Sequence, residues 1–278
     1  LRAGNSNFSD EELKEAVEFV HAHGKKIHVT CNIIPHNEDF EGLEDYLKFL
    51  ESIGVDAIIV ADMGIFSLAK RVAPGLELHV STQASTTNWH TVQMWKELGA
   101  TRVVAAREVS LADLKEMKDH VDIEIESFVH GSMCISYSGR CLLSNYMTGN
   151  RDANRGQCSQ SCRWKYSLVE SNRPGEYYPI EEDEHGTYIF NSKDLCLIHR
   201  IPDLYEAGID SLKIEGRMKS VHYCATVAKV YRTAIDTYLK EGKDWYVRPE
   251  WIAELEKISH RPYTDGFAEG RPDETAQN

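Results

Sequence analysis

A TIM-like (β/α) barrel is the architecture this chain encodes, and three features of the sequence point to it. Six short β-branched runs alternate with amphipathic stretches, the pattern of parallel βαβ units. The amphipathic stretches open on capping residues and close on glycine. One parity of the strand residues is repeatedly polar, as expected where alternate residues face a barrel interior. No glycine-rich phosphate fingerprint follows any strand, which argues against a nucleotide-binding doubly wound fold.

The elements follow in order. Ser9 and Glu12 form a capping box for a helix carrying Leu13, Val17 and Val20 on its apolar stripe and ending at Gly24. KKIHVTCNI is the first strand. Residues 38–53 read as one amphipathic helix through Leu43, Tyr46, Leu47 and Leu50, closed by Gly54, before the strand DAIIVAD. A short helix at 65–72 precedes Pro74 and Gly75, and ELHVSTQAS is the next strand. A helix over 88–98 ends at Gly99 and leads to TRVVAARE. Ser110, with Asp113 three residues on, caps a helix at 111–117, and DIEIESFVH is the fifth strand. Beyond residue 165 the rhythm breaks. KYSLVE and YYPIEE flank Asn172-Arg173-Pro174-Gly175, a turn signal, and predict a small antiparallel excursion over 166–192. The alternation resumes with a helix at 197–207, the strand SLKIEGR and a long helix at 220–240.

These elements place an incomplete (β/α) barrel over residues 1–257, a cysteine-rich insert at 131–165 and a linker toward a further domain at 258–278. The chain opens at Leu1 in loop-like sequence, so the expectation is that the missing first strands precede it. At 278 residues it can bury a sizeable core. No signal peptide or membrane-spanning apolar run is present, which predicts a cytoplasmic protein with no membrane partner. The net charge of −13 argues against a generic polyanion binder. The average hides a local excess: between Ser132 and Leu168 stand Arg140, Arg151, Arg155, Arg163 and Lys165 against Asp152 alone, a patch able to hold an anion or solvated as ordinary loop charge.

His28, Thr30 and Asn32 share the polar parity of their strand, as do His79, Ser81 and Gln83, Glu124, Glu126 and His130, and Lys213, Glu215 and Arg217. Such residues either pair internally, Glu126 or Glu215 with Lys213 or Arg217, or serve a site. Barrel active sites lie at the C-terminal strand ends, which singles out Asn32, Asp62, Gln83, Arg107, Glu108, His130 and Arg217. Arg107 and Arg217 suit a carboxylate ligand, and His130 suits proton transfer.

Four of the seven cysteines fall within Cys134-x6-Cys141-x16-Cys158-x3-Cys162. Without a secretory signal, metal ligation explains such crowding better than disulfides. Zinc ribbons favour two short knuckles and only one short pair exists here, so an iron–sulfur cluster suits the spacing better than zinc. Cys196 is a rival ligand, and a thiol enzyme needing one cysteine is the alternative. Cys31 and Cys224 read as small buried hydrophobes.

ESFVHGSMCISYSGRCLLS resembles the signature of the collagenase-like peptidases, unknown-type peptidase family 32, and NRGQCSQSCRW, NSKDLC, SLKIEGRMKS and SHRPYTDGF resemble further blocks of that family. The resemblance covers nearly the whole chain. It implies a barrel beginning before Leu1 and a small C-terminal domain beyond the chain. It further implies RNA hydroxylation without oxygen, most nearly the branch that hydroxylates the wobble uridine of tRNA with prephenate as hydroxyl source. A sister branch acts on a cytidine of ribosomal RNA, and other relatives serve ubiquinone synthesis. By position the resemblance makes Cys134, Cys141, Cys158 and Cys162 ligands of an iron–sulfur cluster of the 4Fe–4S kind, with Cys196 a competitor for one place. The dianionic prephenate would need arginines, and Arg2, Arg107 and Arg217 are available. His130, Gln83 and Glu126 complete the candidate catalytic set with those last two. Tyr137, Tyr146 and Trp164 are candidates to stack on a base of the tRNA partner. The family's name carries the alternative, a peptidase acting on a peptide through a cysteine or metal, although no Ser–His–Asp set or HExxH motif is present. A non-catalytic accessory subunit is the third reading.

Overall fold

The computed structural model describes residues 7–134, 136, 141–149, 151–164, 167–168, 178–179 and 193–270. They form an α/β fold of the TIM-like type, a mostly parallel sheet alternating with helices. Two compact units divide the chain: residues 1–106, 116–126 and 136–159 make the first, and 107–115, 127–135 and 160–278 the second.

The first unit begins with α1 (Asp10–Ala22). Its predicted capping box is present: Ser9 N–H donates to Glu12 Oε2 at 2.7 Å and Glu12 N–H to Ser9 Oγ at 3.2 Å. β1 (His28–Cys31), β2 (Ala57–Val60), β3 (Glu77–Val80), β4 (Arg102–Val104) and the start of β5 (Glu124–Ser132) pair in parallel in that order. Every residue of β2 is buried, as befits a central parallel strand. The single helix expected at 38–53 is instead a 3₁₀ turn (Asn37–Phe40) followed by α2 (Leu43–Ser52). Asp39 accepts from His36 N–H at 2.8 Å to close the turn, and Gly42 lies in the left-handed region at φ 72° and separates the two. α3 (Met63–Val72) and α4 (Trp89–Leu98) return the chain between strands, and α5 (Leu111–His120) follows β4. The first unit also holds α6 (Leu143–Thr148), a helix that the sequence did not announce.

In the second unit the end of β5 is flanked on two sides. The excursion contributes an antiparallel two-residue ladder, β6 (Ser167–Leu168) with β7 (Tyr178–Pro179), and the rest of that predicted segment lies outside the described residues. β8 (Asp194–Cys196) joins the main sheet antiparallel to β5, with His130 opposite Cys196 and Ser132 opposite Asp194. This departs from the expected set of parallel strands. The predicted helix at 197–207 is a 3₁₀ turn (Ile198–Arg200) leading into α7 (Ile201–Glu206), where Pro202 occupies the first turn. β9 (Ser211–Ile214) pairs with β5, and Glu215 N–H donates to His130 O at 2.9 Å. α8 (Val221–Glu241) is capped by Ser220 and buries Tyr223, Val227, Val230, Tyr231 and Ala234. α9 (Pro249–Glu256) follows, and β10 (Tyr263–Thr264) pairs in parallel with β8. Residues 258–270, expected as linker, are therefore part of this unit, with Ile258 and Ala268 buried. Residues 271–278 lie outside the described residues.

Gly131 shows how tightly β5 and β9 approach. Its φ is +111°, and a Cβ there would meet the Glu215 carbonyl oxygen at 2.5 Å. Gly131→Ala is expected to cost on the order of 1–3 kcal/mol from the backbone conformation alone, read as a lowered denaturation midpoint. An unchanged midpoint would contradict this geometry.

Candidate functional site

In the second unit β5 delivers His130 into an aromatic box. Its ring centroid lies 6.0 Å from that of Tyr223, 5.5 Å from Tyr231 and 5.3 Å from Tyr263. Tyr223 and Tyr231 are two turns apart on α8 and so share one face. The Tyr231 hydroxyl donates to Val129 O at 2.8 Å and stands 3.4 Å from His130 Nδ1. With that hydroxyl proton committed to the carbonyl, Nδ1 carries the imidazole proton toward the tyrosine oxygen and Nε2 is left as an acceptor. Nε2 and the Tyr223 hydroxyl have no hydrogen-bond partner among the described residues. Burial pushes the imidazole pKa down to about 4, against the pull of Asp194 and with help from His260 and Lys219. His130 is thus a neutral hydrogen-bonding group at physiological pH. Cys196, the rival ligand, is buried opposite it, with its thiol pushed up by burial and 3.9 Å from the Tyr231 oxygen.

Beside this box lies an ion-pair web. Asp194, fully buried, takes Arg163 Nη1 at 2.9 Å, Lys219 Nζ at 3.5 Å and Arg261 N–H at 3.2 Å. Burial alone would raise its carboxyl, but the charge and hydrogen bond of Arg163, with Arg261 and Lys219, hold it below the usual carboxylate range. Arg163 also donates to Met133 O at 3.2 Å. Arg107 pairs with Glu215 at 2.8 Å and lies 3.7 Å over the Phe128 ring, so its guanidinium already has a carboxylate. Arg217 is exposed, and its backbone N–H donates to Glu215 Oε1 at 3.1 Å. Arg2 lies outside the described residues.

In the first unit the predicted polar residues resolve into two kinds. Glu126 is buried and pairs with Arg102 at 3.1 Å, and Arg102 also holds Glu124 at 2.7 Å. This internal pairing uses a partner other than Lys213 or Arg217, and it gives Glu126 a structural task. Asp62 accepts from Gly64 and Ile65 N–H and so caps α3. Gln83 is different. It follows β3 in the 3₁₀ turn Thr82–Ala84, is 2% exposed, and neither end of its amide has a partner among the described residues. Asn32 and Ser81, at the ends of β1 and β3, are joined by a 2.9 Å hydrogen bond from Nδ2 to Oγ. The Asn32 Oδ1, Thr82 Oγ1 and Thr86 Oγ1 atoms are buried and likewise unpartnered among the described residues.

The described part of residues 141–159 is stitched to the first unit. Ser144 Oγ donates to Arg151 O at 2.8 Å and accepts from Ser159 N–H at 2.8 Å. Arg151 Nε donates to Gln157 O at 3.1 Å. Asn154 exchanges hydrogen bonds with the Ile34 backbone at 2.7 and 3.0 Å, and Arg155 forks onto Asp39 at 2.8 and 2.9 Å. Arg151, Arg155 and Arg163 of the basic patch are therefore braces within the protein. Arg140 and Lys165 lie outside the described residues. A double-mutant cycle on Arg155 and Asp39 is expected to return about 1 kcal/mol or less of coupling, since the guanidinium is partly exposed, and no coupling would count against the brace.

Cys141 and Cys158 belong to the first unit and Cys134 and Cys162 to the second, and all four are thiols outside any disulfide. In kind and number the donors suit a thiolate-held cluster. Among the described residues, however, no three His, Cys, Asp or Glu side chains stand together as a metal site.

His130, Gln83 and Asn32 are singled out by strand position in the sequence, whereas Thr82, Thr86 and the three tyrosines are brought forward only by the structure. The spacing of Tyr223 and Tyr231 was the available signal for the last group.

A family model for peptidase family U32 matches residues 1–278. tRNA hydroxylation protein P1 of Bacillus subtilis is 52% identical over 272 residues, covering 98% of this chain and 64% of that protein. tRNA hydroxylation protein P of Escherichia coli is 40% identical over 318 residues, covering all of this chain and 69% of that protein. The 23S rRNA 5-hydroxycytidine C2501 synthase of Escherichia coli is 36% identical over 273 residues, covering 96% of this chain and 40% of that protein. The chain spans about two thirds of the length of the two tRNA hydroxylation proteins.

Proposed function

The chain belongs to peptidase family U32, and from its relatives named for tRNA hydroxylation and rRNA hydroxycytidine synthesis we propose that it is part of an RNA-modifying enzyme rather than a peptidase. The specific reading is oxygen-independent hydroxylation of a tRNA wobble uridine, with prephenate as hydroxyl source, in the cytoplasm. The observation that carries the tRNA hydroxylation part of this reading is 52% identity along 98% of the chain with a protein named for tRNA hydroxylation; the uridine position and the prephenate donor rest on the sequence resemblance. An iron–sulfur cluster on Cys134, Cys141, Cys158 and Cys162, when bound, would supply one-electron chemistry.

The chain's own residues support an RNA-modifying role in specific ways. His130 is a neutral acceptor in an aromatic box, suited to orienting a substrate group and not to carrying charge. Gln83 and its neighbours present uncharged hydrogen-bonding groups. Tyr146 on α6 is 85% exposed and Trp164 46% exposed, so both rings are accessible for base stacking. Prephenate binding falls to Arg217, whose exposed guanidinium contrasts with the paired one of Arg107.

The test is tRNA from cells lacking this protein. The wobble uridine is expected to lose one oxygen's mass, to regain it with the wild-type gene, and to stay unmodified with Cys158→Ser. Anaerobically purified full-length protein should carry iron and sulfide in equal amounts. Unaltered tRNA in the deletion strain would overturn the proposal. Peptide cleavage abolished by one cysteine substitution in iron-free protein would establish the peptidase reading instead.

A further inference from the structure

Five buried side-chain atoms that have no hydrogen-bond partner among the described residues belong to four residues of the first unit: Asn32 Oδ1, Thr82 Oγ1, Gln83 Nε2 and Oε1, and Thr86 Oγ1. Three of the four residues lie within residues 82–86, and the fourth, Asn32, is tied to that segment through its hydrogen bond to Ser81. A buried polar atom left unpaired costs about 1–3 kcal/mol, so five of them at this segment point to a group that satisfies them, an ordered water or a ligand. The segment is also held in an unusual shape, with Ser85 at φ 55° in the left-handed region that serine seldom adopts. Ser81 Oγ accepts from Gln83 N–H at 3.2 Å, which fixes the backbone from which the Gln83 amide projects.

The chemistry of the set defines what it would hold. None of these four side chains carries a charge, so a phosphate or carboxylate gains nothing here over water. Both ends of the buried Gln83 amide lack a partner among the described residues, a donor beside an acceptor in one plane. That pattern complements the imide edge of a uracil: the amide N–H donates to O4 while its oxygen accepts from N3–H. The same bidentate logic underlies amide readout of base edges generally.

We propose that Gln83, supported by Asn32 and Thr86, is the specificity-determining residue that reads the Watson–Crick edge of a target pyrimidine. The inference rests on the RNA-modifying reading given above and deepens it. Gln83 acts here by hydrogen bonding to the base and takes no part in bond making.

The experiment compares binding of two anticodon stem-loop RNAs by the full chain. One carries uridine at the wobble position and the other N3-methyluridine, which lacks the N3–H. Wild type is expected to prefer uridine by about tenfold to hundredfold. Gln83→Leu should abolish that preference while leaving the thermal midpoint unchanged or raised, because it removes two unpaired buried atoms. A Gln83→Leu protein that keeps the preference overturns the inference. A lowered midpoint with the preference retained does the same, and shows the amide to be satisfied by ordered water or by the protein. If Gln83→Leu does not fold, Thr86→Val, which keeps the side-chain shape, decides: a weakened preference supports the inference and an unchanged one overturns it. If wild type binds neither RNA, the RNA-modifying reading falls and takes this inference with it. If wild type binds both RNAs equally, only the inference falls.

Discussion

Asp194→Ala is expected to destabilise the second unit by about 3–5 kcal/mol, the cost of leaving a buried cation without its partner. Asp194 is 0% exposed and Arg163 8% exposed, so neither charge can turn to water when the other is lost. The same carboxylate also receives Lys219 and the Arg261 backbone N–H, and it sits in β8 at the point where that strand meets both β5 and β10. Removing it strands two cations and a buried donor together. Replacing both members of the closest pair tells pairing from packing: Asp194→Leu with Arg163→Met should recover part of the loss, because the Arg163 charge is no longer buried unpaired, while Lys219 and the Arg261 N–H still lack their acceptor. Denaturant titration checks this. A loss below about 1 kcal/mol in the single variant would mean that water reaches the pair.

The second large effect is on acid stability. His79 and His130 both have pKa values pushed down to about 4, chiefly by burial. For His79 the Arg102 charge and His28 add to the shift, against Glu77 and Glu126; for His130, His260 and Lys219 add to it, against Asp194. In the unfolded chain each titrates near 6.5, so below that pH the unfolded state binds protons that the folded state refuses. The stabilisation is complete above pH 6.5 and is lost as pH falls toward 4. At pH 5 the loss is about 2 kcal/mol per histidine. Unfolding free energies measured from pH 7 to pH 5 should show this slope, and His130→Phe should remove about one proton of it. A flat profile over that range would sink the prediction. Acid sensitivity of this kind follows from keeping His130 as a neutral hydrogen-bonding group.

Most of the alternation was legible in the chain because its causes are local. The Ser9–Glu12 box, the Ser110–Asp113 cap and the glycines after α4 and α7 act within a few residues, so a linear reading finds them. The break at Gly42 was missed because an apolar stripe continues through it and periodicity does not report the sign of φ. The polar parity of the strands was visible, yet it did not say which members serve the fold. Glu126 and Gln83 are both polar-parity strand candidates in sequence; one is paired with Arg102, and the amide of the other has no partner among the described residues.

By itself, then, the sequence determined the fold class, the four crowded cysteines, and His130 and Gln83 as residues to watch, because periodicity, spacing and strand position are one-dimensional properties. Tertiary structure decided how each charge is spent. Arg155 finds Asp39 across 116 residues and Arg163 finds Asp194 across 31, turning an apparent anion patch into internal braces. It also decided the antiparallel insertion of Asp194–Cys196 beside β5 and the packing of residues 258–270 against it. Composition counts cations, but what neutralises a cation depends on which distant side chain the fold brings within about 3 Å, and Coulomb attraction at that range outweighs any preference written locally.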